Sequence, residues 1–202
     1  MMSGIACAPS RETRRRALPD RLRFALAWLR DPAATAAIAP SGRRLAALIT
    51  RAIDAQTGPV AELGPGTGPF TRALIERGVA EHDLTLVEYN DDFARLLRLR
   101  HPAATVLCAD AAALAGSESP PGGYGAVVCG LGLRNMDAAQ IEAIVGAAFV
   151  RMRIDGALYL FTYGRRCSVP DMVLDRLGLT AERVGTVWRN LPPARVYRVA
   201  RR

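Results

Sequence analysis

The chain has 202 residues, 50% hydrophobic and 23% charged, a composition that belongs to a folded globular domain and excludes a disordered chain. All 27 basic residues are arginine, against 19 acids, for a net charge of +8; without lysine, neither P-loop nucleotide hydrolysis nor Schiff-base catalysis is available. Four scattered cysteines (Cys7, Cys108, Cys129, Cys167) and two distant histidines (His82, His101) offer no metal cluster and no disulfide framework, so no metal is expected and a reducing cytoplasm fits.

In chain order, Asp20 is placed to cap a helix running to Arg30, where Asp31-Pro32 stops it. Leu22, Ala25, Leu26 and Leu29 fall on one face of it, Phe24 and Trp28 flank that face, and Arg21, Arg23 and Arg30 take the remainder. After the turn Ala39-Pro40-Ser41-Gly42 a second helix is predicted near Arg43 to Ala55, which makes residues 1–57 a helical extension. From residue 58 onward, strand-like runs (Pro59 to Leu63, Leu84 to Tyr89, Thr105 to Ala109, Ala126 to Cys129, Ala157 to Tyr163) alternate with helical stretches (Phe70 to Arg77, Asp91 to Arg100, Ala138 to Met152, Pro170 to Leu177). That alternation predicts βαβ units and a mostly parallel sheet in an α/β domain. Two further strand-like runs, Glu182 to Trp188 and Arg195 to Val199, are separated by Asn190-Leu191-Pro192-Pro193 and read as an antiparallel hairpin.

Charge is concentrated at the two ends. Residues 1–30 carry a net +5, residues 183–202 a net +6, and the stretch between them a net −3. Basic poles of this kind attract anions, either nucleic-acid backbone or an anionic membrane leaflet. No stretch reaches the roughly 18 apolar residues of a spanning helix, and the apolar run Phe24 to Leu29 is too short and too late for a secretory signal.

The most informative segment is Glu62-Leu63-Gly64-Pro65-Gly66-Thr67-Gly68-Pro69-Phe70, a strand running through three alternate glycines into a helix. Glycines there permit a tight turn and let a ligand lie on bare backbone, and the helix N-terminus offers unpaired N–H groups. Glu88 ends the second strand, where a carboxylate can take both hydroxyls of a ribose. Asp110 ends the third, as a ligand contact or simply as the cap of the next helix. Acids and glycines at three successive strand ends favour a bound nucleoside.

These three motifs, Glu62 to Gly68, Val87-Glu88-Tyr89 and Ala109-Asp110-Ala111, resemble the cofactor motifs of class I S-adenosylmethionine-dependent methyltransferases. The resemblance implies a Rossmann-like, mostly parallel seven-stranded sheet ending in an antiparallel hairpin, with S-adenosylmethionine as cofactor. It implies cofactor contacts from Glu62, Gly64, Gly66, Gly68, Glu88, Tyr89, Asp110, Ala111 and Gly130, with Ser41 closing over the methionine carboxylate. The loop is G-x-G-x-G, where a dinucleotide dehydrogenase has G-x-G-x-x-G.

A narrower resemblance rests on Trp28-Leu29-Arg30-Asp31-Pro32, Ala37-Ile38-Ala39-Pro40-Ser41, Phe161-Thr162-Tyr163-Gly164 and Trp188-Arg189-Asn190-Leu191-Pro192-Pro193-Ala194. These are similar to the bacterial phospholipid N-methyltransferases, which convert phosphatidylethanolamine stepwise to phosphatidylcholine. It implies a monomer, peripheral on the inner face of the cytoplasmic membrane, whose partners are a phospholipid bilayer and its anionic lipids, with no nucleic acid. Tyr163 is then the first candidate to hold the methylated cation by its aromatic face, and Arg189 with Asn190 to hold the lipid phosphate. Arg21, Leu22, Leu26, Trp28 and Leu29 are the expected membrane contacts. One departure stands after the fourth strand, where Gly130-Leu131-Gly132-Leu133-Arg134-Asn135 replaces the expected Gly-Leu-Pro; Gly-Leu-Arg-Asn is also similar to quinone-biosynthesis C-methyltransferases. The dimethyladenosine transferases of ribosomal RNA have a very similar glycine loop. They carry Asn/Asp-Pro-Pro-Tyr/Phe after that strand, and neither its proline nor its aromatic is present here.

Overall fold

In a computed structural model the protein is described over residues 40–202. The amphipathic helix predicted at 20–30, with Arg21, Leu22, Leu26, Trp28 and Leu29, lies outside the described residues.

Seven strands, β1 (Val60–Leu63), β2 (Leu84–Glu88), β3 (Thr105–Cys108), β4 (Tyr124–Cys129), β5 (Met152–Thr162), β6 (Leu179–Val187) and β7 (Ala194–Arg201), form a single sheet. Its order is β3-β2-β1-β4-β5-β7-β6. The pairs β1–β2, β1–β4, β2–β3 and β4–β5 are parallel, and β7 runs antiparallel to both β5 and β6. The predicted hairpin is therefore present, with its second strand placed inside the sheet and its first at the edge. The strand order runs outward from β1 in opposite directions on its two sides, so the crevice between β1 and β4 is the topological switch point at which open α/β sheets bind ligands.

Helices cover both faces. On one lie α1 (Pro40–Ile49), α2 (Pro69–Glu76) and α3 (Asp91–Arg100), packing Leu45, Ile49, Phe70, Leu74 and Leu97 against Val60, Leu86 and Val128. On the other lie a 3-10 helix (Ala111–Gly116), α4 (Ala138–Arg151) and α5 (Asp171–Arg176), with Leu114, Ile144, Val145 and Val173 against Leu63, Val127 and Leu158. Local sequence sets the helix starts. Asn90 accepts from the Asp92 and Phe93 N–H groups to begin α3, and Asp137 with Gln140 forms a reciprocal capping box at α4.

The largest departures from the sequence reading are in α1 and β5. Pro40 to Gly42, expected to form a turn, are instead the first turn of α1, which starts at Pro40, a position where a missing N–H costs nothing. That helix ends at Ile49, where Thr50 turns its hydroxyl onto the Ala46 carbonyl at 2.8 Å, and its buried residues join the core of the sheet. Strand β5 begins at Met152 rather than near Ala157, because Asp155-Gly156, which reads as a break, is absorbed as an irregularity between the Tyr124–Met152 and Ala126–Ala157 pairs.

The basic carboxy-terminal run is partly internal. Arg195 donates to the Gly164 carbonyl at 2.8 Å, Arg201 donates to the Phe149 and Arg153 carbonyls at 2.6 and 2.7 Å while lying over the Phe149 ring, and Arg202 pairs with Asp175. These three guanidinium groups hold strands and helix ends together, so the surface charge of this end is smaller than its composition suggests.

Candidate active site

The carboxyl ends of β1, β2, β3, β4, β5 and β6 share one edge of the sheet, and β7 starts there. The loop from Gly64 to Gly68 crosses that edge with all three glycines at positive φ, between 56° and 81°, a region that L side chains rarely adopt. A Cβ at Gly64 would lie 2.4 Å from Leu131 Cδ2, and one at Gly130 would lie 2.6 Å from the Gly64 carbonyl oxygen, so the β1 and β4 loops meet backbone to backbone. Around Gly66 nothing lies within 4 Å of the Cβ position. This open backbone, followed by the N-terminus of α2, is a cradle for an anionic or zwitterionic ligand.

Glu88 closes the cradle from β2. Its Oε2 accepts the Gly66 N–H at 2.9 Å and its Oε1 accepts the Asn90 N–H at 2.8 Å, which fixes a carboxylate only 7% exposed. Tyr89, 60% exposed, stands beside it. Asp110 is exposed at the end of β3 and accepts the Ala112 N–H at 3.0 Å; it caps the 3-10 helix, and Ala111 is buried behind it.

Glu62 lies below the loop, wholly buried. Its Oε2 accepts the Thr71 hydroxyl at 2.6 Å, and its Oε1 has no partner among the described residues. Burial pushes its carboxyl up to about 8, with the nearby Glu88 adding to the shift against the opposing Thr71 hydrogen bond. An ammonium group seated on the glycine loop is the kind of donor that satisfies such an oxygen. The open cradle at Gly66, the clasped carboxylate of Glu88 and the unpartnered Glu62 Oε1 together fit S-adenosylmethionine, with its methionine end at the loop and its ribose at Glu88.

On the neighbouring strands, Tyr163 is 43% exposed just past the end of β5. Its ring packs edge to face on Phe161 at 5.6 Å, and Phe161 packs in the same way on Phe70 at 5.9 Å. An aromatic chain thus links Phe70, in the first turn of α2, to Tyr163. Of the hairpin-tip pair, Arg189 is exposed and Asn190 is 8% exposed, with its Oδ1 buried and without a partner among the described residues; the two side chains sit in different surroundings. Trp188 and Leu191 at the same tip are 73% and 97% exposed. Ser41 lies in the first turn of α1.

Sequence reasoning missed three contributors. Phe161 stands two residues before Tyr163, and strand alternation was signal enough to put both rings on one face. Leu131, which roofs Gly64, and Thr71, which holds Glu62, carry no sequence signal, because each acts through a contact between separate elements.

Fold and cradle together define a class: the chain has the fold of class I S-adenosylmethionine-dependent methyltransferases. The N-methyltransferase NodS from Bradyrhizobium japonicum, in complex with S-adenosyl-L-homocysteine, superimposes with a TM-score of 0.66 at 15% identity, covering 88% of this chain and 96% of that one. A TehB-like methyltransferase from Corynebacterium glutamicum superimposes with a TM-score of 0.61 at 16% identity, covering 91% and 98%. Among curated proteins, a segment of 80 residues is 42% identical to ribosomal RNA small subunit methyltransferase A of a Synechococcus species, spanning 40% of this chain and 26% of that protein. No family model matches the chain.

Proposed function

We propose that the protein is an S-adenosylmethionine-dependent methyltransferase that N-methylates phosphatidylethanolamine headgroups stepwise to phosphatidylcholine, as a peripheral protein on the inner face of the cytoplasmic membrane. The observation that carries this reading is the company the cradle keeps. At the same sheet edge the β6–β7 tip exposes Trp188 and Leu191 with Arg189 between them, an indole, an alkyl chain and a guanidinium, which suit the headgroup level of a bilayer. No helix among the described residues is long and apolar enough to cross a membrane.

When bound, S-adenosylmethionine supplies a methyl group on a positively charged sulfur. The work of this chain is to present a neutral amine in line with it, and positioning carries much of the barrier. An alkyl ammonium has a pKa of about 10; a poorly solvated site beside a cation lowers that value, so no dedicated strong base is required. The Tyr163 face, braced by Phe161 and Phe70, holds the amine and its successively methylated cations. Arg189 meets lipid phosphate at the surface, and the buried Asn190 amide shapes the tip that carries it.

A ribosomal RNA adenine methyltransferase is the second reading, favoured by the 80-residue match. Against it, the residues from Gly130 to Asn135 after β4 hold no proline and no aromatic to grip an extruded base. Labelled methyl from S-adenosylmethionine, offered in parallel to vesicles of phosphatidylethanolamine with anionic lipid and to ribosomal RNA, decides between them. The expected result is label in the lipid phase; label in RNA alone overturns the proposal.

A further inference from the structure

The stretch after β4 has a second consequence. Leu131 roofs Gly64, Leu133 is buried in the core, and Arg134, one residue on, reaches across to the loop after β5. A Cβ at Gly164 would sit 3.3 Å from Arg134 Nη1, so the guanidinium lies against bare backbone. Between these two loops is an open pocket of about 450 Å³ with Leu133, Met136 and Ile141 on its apolar side and Arg134, Arg165 and Arg166 on its polar side. No carboxylate lines it, and none of the three arginines has an ion-pair partner among the described residues. Three uncompensated guanidinium groups around one pocket repel each other, and an anion relieves that repulsion.

The loop carrying two of them is held in place. The Gly164 N–H donates to Thr162 Oγ1 at 2.9 Å, the Gly164 carbonyl accepts from Arg195 at 2.8 Å, and the Arg165 carbonyl accepts from the Tyr197 hydroxyl at 3.3 Å. The backbone is therefore ordered before any ligand arrives, which reduces the entropy lost on binding. Guanidinium forks match phosphate oxygens, and an apolar floor beside them suits a phosphate that carries hydrocarbon.

We infer that Arg134, Arg165 and Arg166 form a binding site for a phosphate diester with an apolar tail, one short loop away from the cofactor cradle. The identification of that diester with the phosphatidylethanolamine headgroup rests on the proposed function; the chemistry of the site does not. In that setting the pocket fixes the phosphate while the amine two carbons further along reaches the methyl donor, and Arg189 acts only at the membrane surface.

The test is calorimetric titration of the full chain, loaded with S-adenosylhomocysteine, with three probes: dihexanoyl phosphatidylethanolamine below its micellar concentration, glycerophosphoethanolamine and inorganic phosphate. The wild type should bind the short-chain lipid most tightly and inorganic phosphate most weakly. The triple variant Arg134→Ala/Arg165→Ala/Arg166→Ala should lose at least tenfold in affinity for the lipid with cofactor affinity unchanged, whereas Arg183→Ala, at an exposed site on β6, should change neither. Gly164→Ala keeps every charge but displaces Arg134, and should weaken lipid binding by a few fold. Equal lipid affinity in wild type and triple variant overturns the site, and inorganic phosphate binding as tightly as the lipid overturns the diester assignment. If the triple variant loses lipid binding but no methyl reaches phosphatidylethanolamine in vesicles, the site stands and the proposed reaction falls.

Discussion

The two halves of the active edge are built from different materials. On the β1–β2 side, closed over by Gly130 after β4, the proposed cofactor surface is backbone: three glycines at positive φ, N–H groups clasped by a buried carboxylate, and a second carboxylate sealed beneath. On the β4–β6 side the proposed substrate surface is made of exposed side chains, arginines, an indole and a tyrosine, and the loop that carries Tyr163, Arg165 and Arg166 is tied down from behind. The first half tolerates almost no substitution because its three glycines hold a positive φ that L side chains rarely adopt, and a Cβ at Gly64 strikes Leu131 while one at Gly130 strikes the Gly64 carbonyl. The second can change its side chains without disturbing the sheet, which is how one cofactor fold serves many substrates.

Breaking the backbone half should have the largest effect. Gly130→Ala places a Cβ 2.6 Å from the Gly64 carbonyl oxygen, and the resulting strain of about 3 kcal/mol should cost about 100-fold in S-adenosylhomocysteine affinity by calorimetry. Glu88→Ala strands the Gly66 and Asn90 N–H groups and removes the ribose acceptor; a loss of about 2 kcal/mol, or about 30-fold in the same titration, is expected.

On the side-chain half, Trp188→Ala/Leu191→Ala should leave cofactor affinity alone and weaken partition onto anionic vesicles by about tenfold in a sedimentation assay. Tyr163→Phe keeps the aromatic face and should hold turnover within about twofold, while Tyr163→Ala, which removes it, should raise the KM for lipid by about fivefold. An unchanged KM for lipid in the alanine variant would separate Tyr163 from the amine.

The smallest change sharpens the comparison from below. Glu62 stays protonated in the folded chain up to about pH 8, whereas the same group in the unfolded chain gives up its proton near 4.5. The folded state thus holds the extra proton across that window, and stability falls as pH rises through it. Glu62→Gln should leave stability near pH 4.5 within about 1 kcal/mol and flatten that slope in urea melts recorded from pH 5 to 8.

The same division explains what could be read from the sequence. Gly64, Gly66, Gly68 and Glu88 were legible because a backbone cradle demands particular residues at fixed offsets along one βαβ unit. The alternation of runs gave the seven strands for the same reason, since periodicity is local. What stayed hidden depends on which loops the topology brings together. Arg134 meets Gly164 across twenty-nine intervening positions, and Asn190, beside Arg189 in sequence, turns inward instead of joining it. The start of α1 was missed on a local ambiguity, because Pro40-Ser41-Gly42 suits a turn and a helix's first turn equally well.

The place of β7 between β5 and β6 also bears on how the protein is made. Among the described residues β6 has no strand neighbour except β7, so when it leaves the ribosome it waits for β7 to pair. The strands β1 to β5, with the glycine loop, need nothing from later sequence to pair with each other. A nascent chain can therefore assemble its cofactor half during synthesis, while the side of the edge that carries Trp188 and Leu191 is completed last. Any ribosome-bound intermediate should protect the amides of β1, β2 and β4 from exchange well before those of β6.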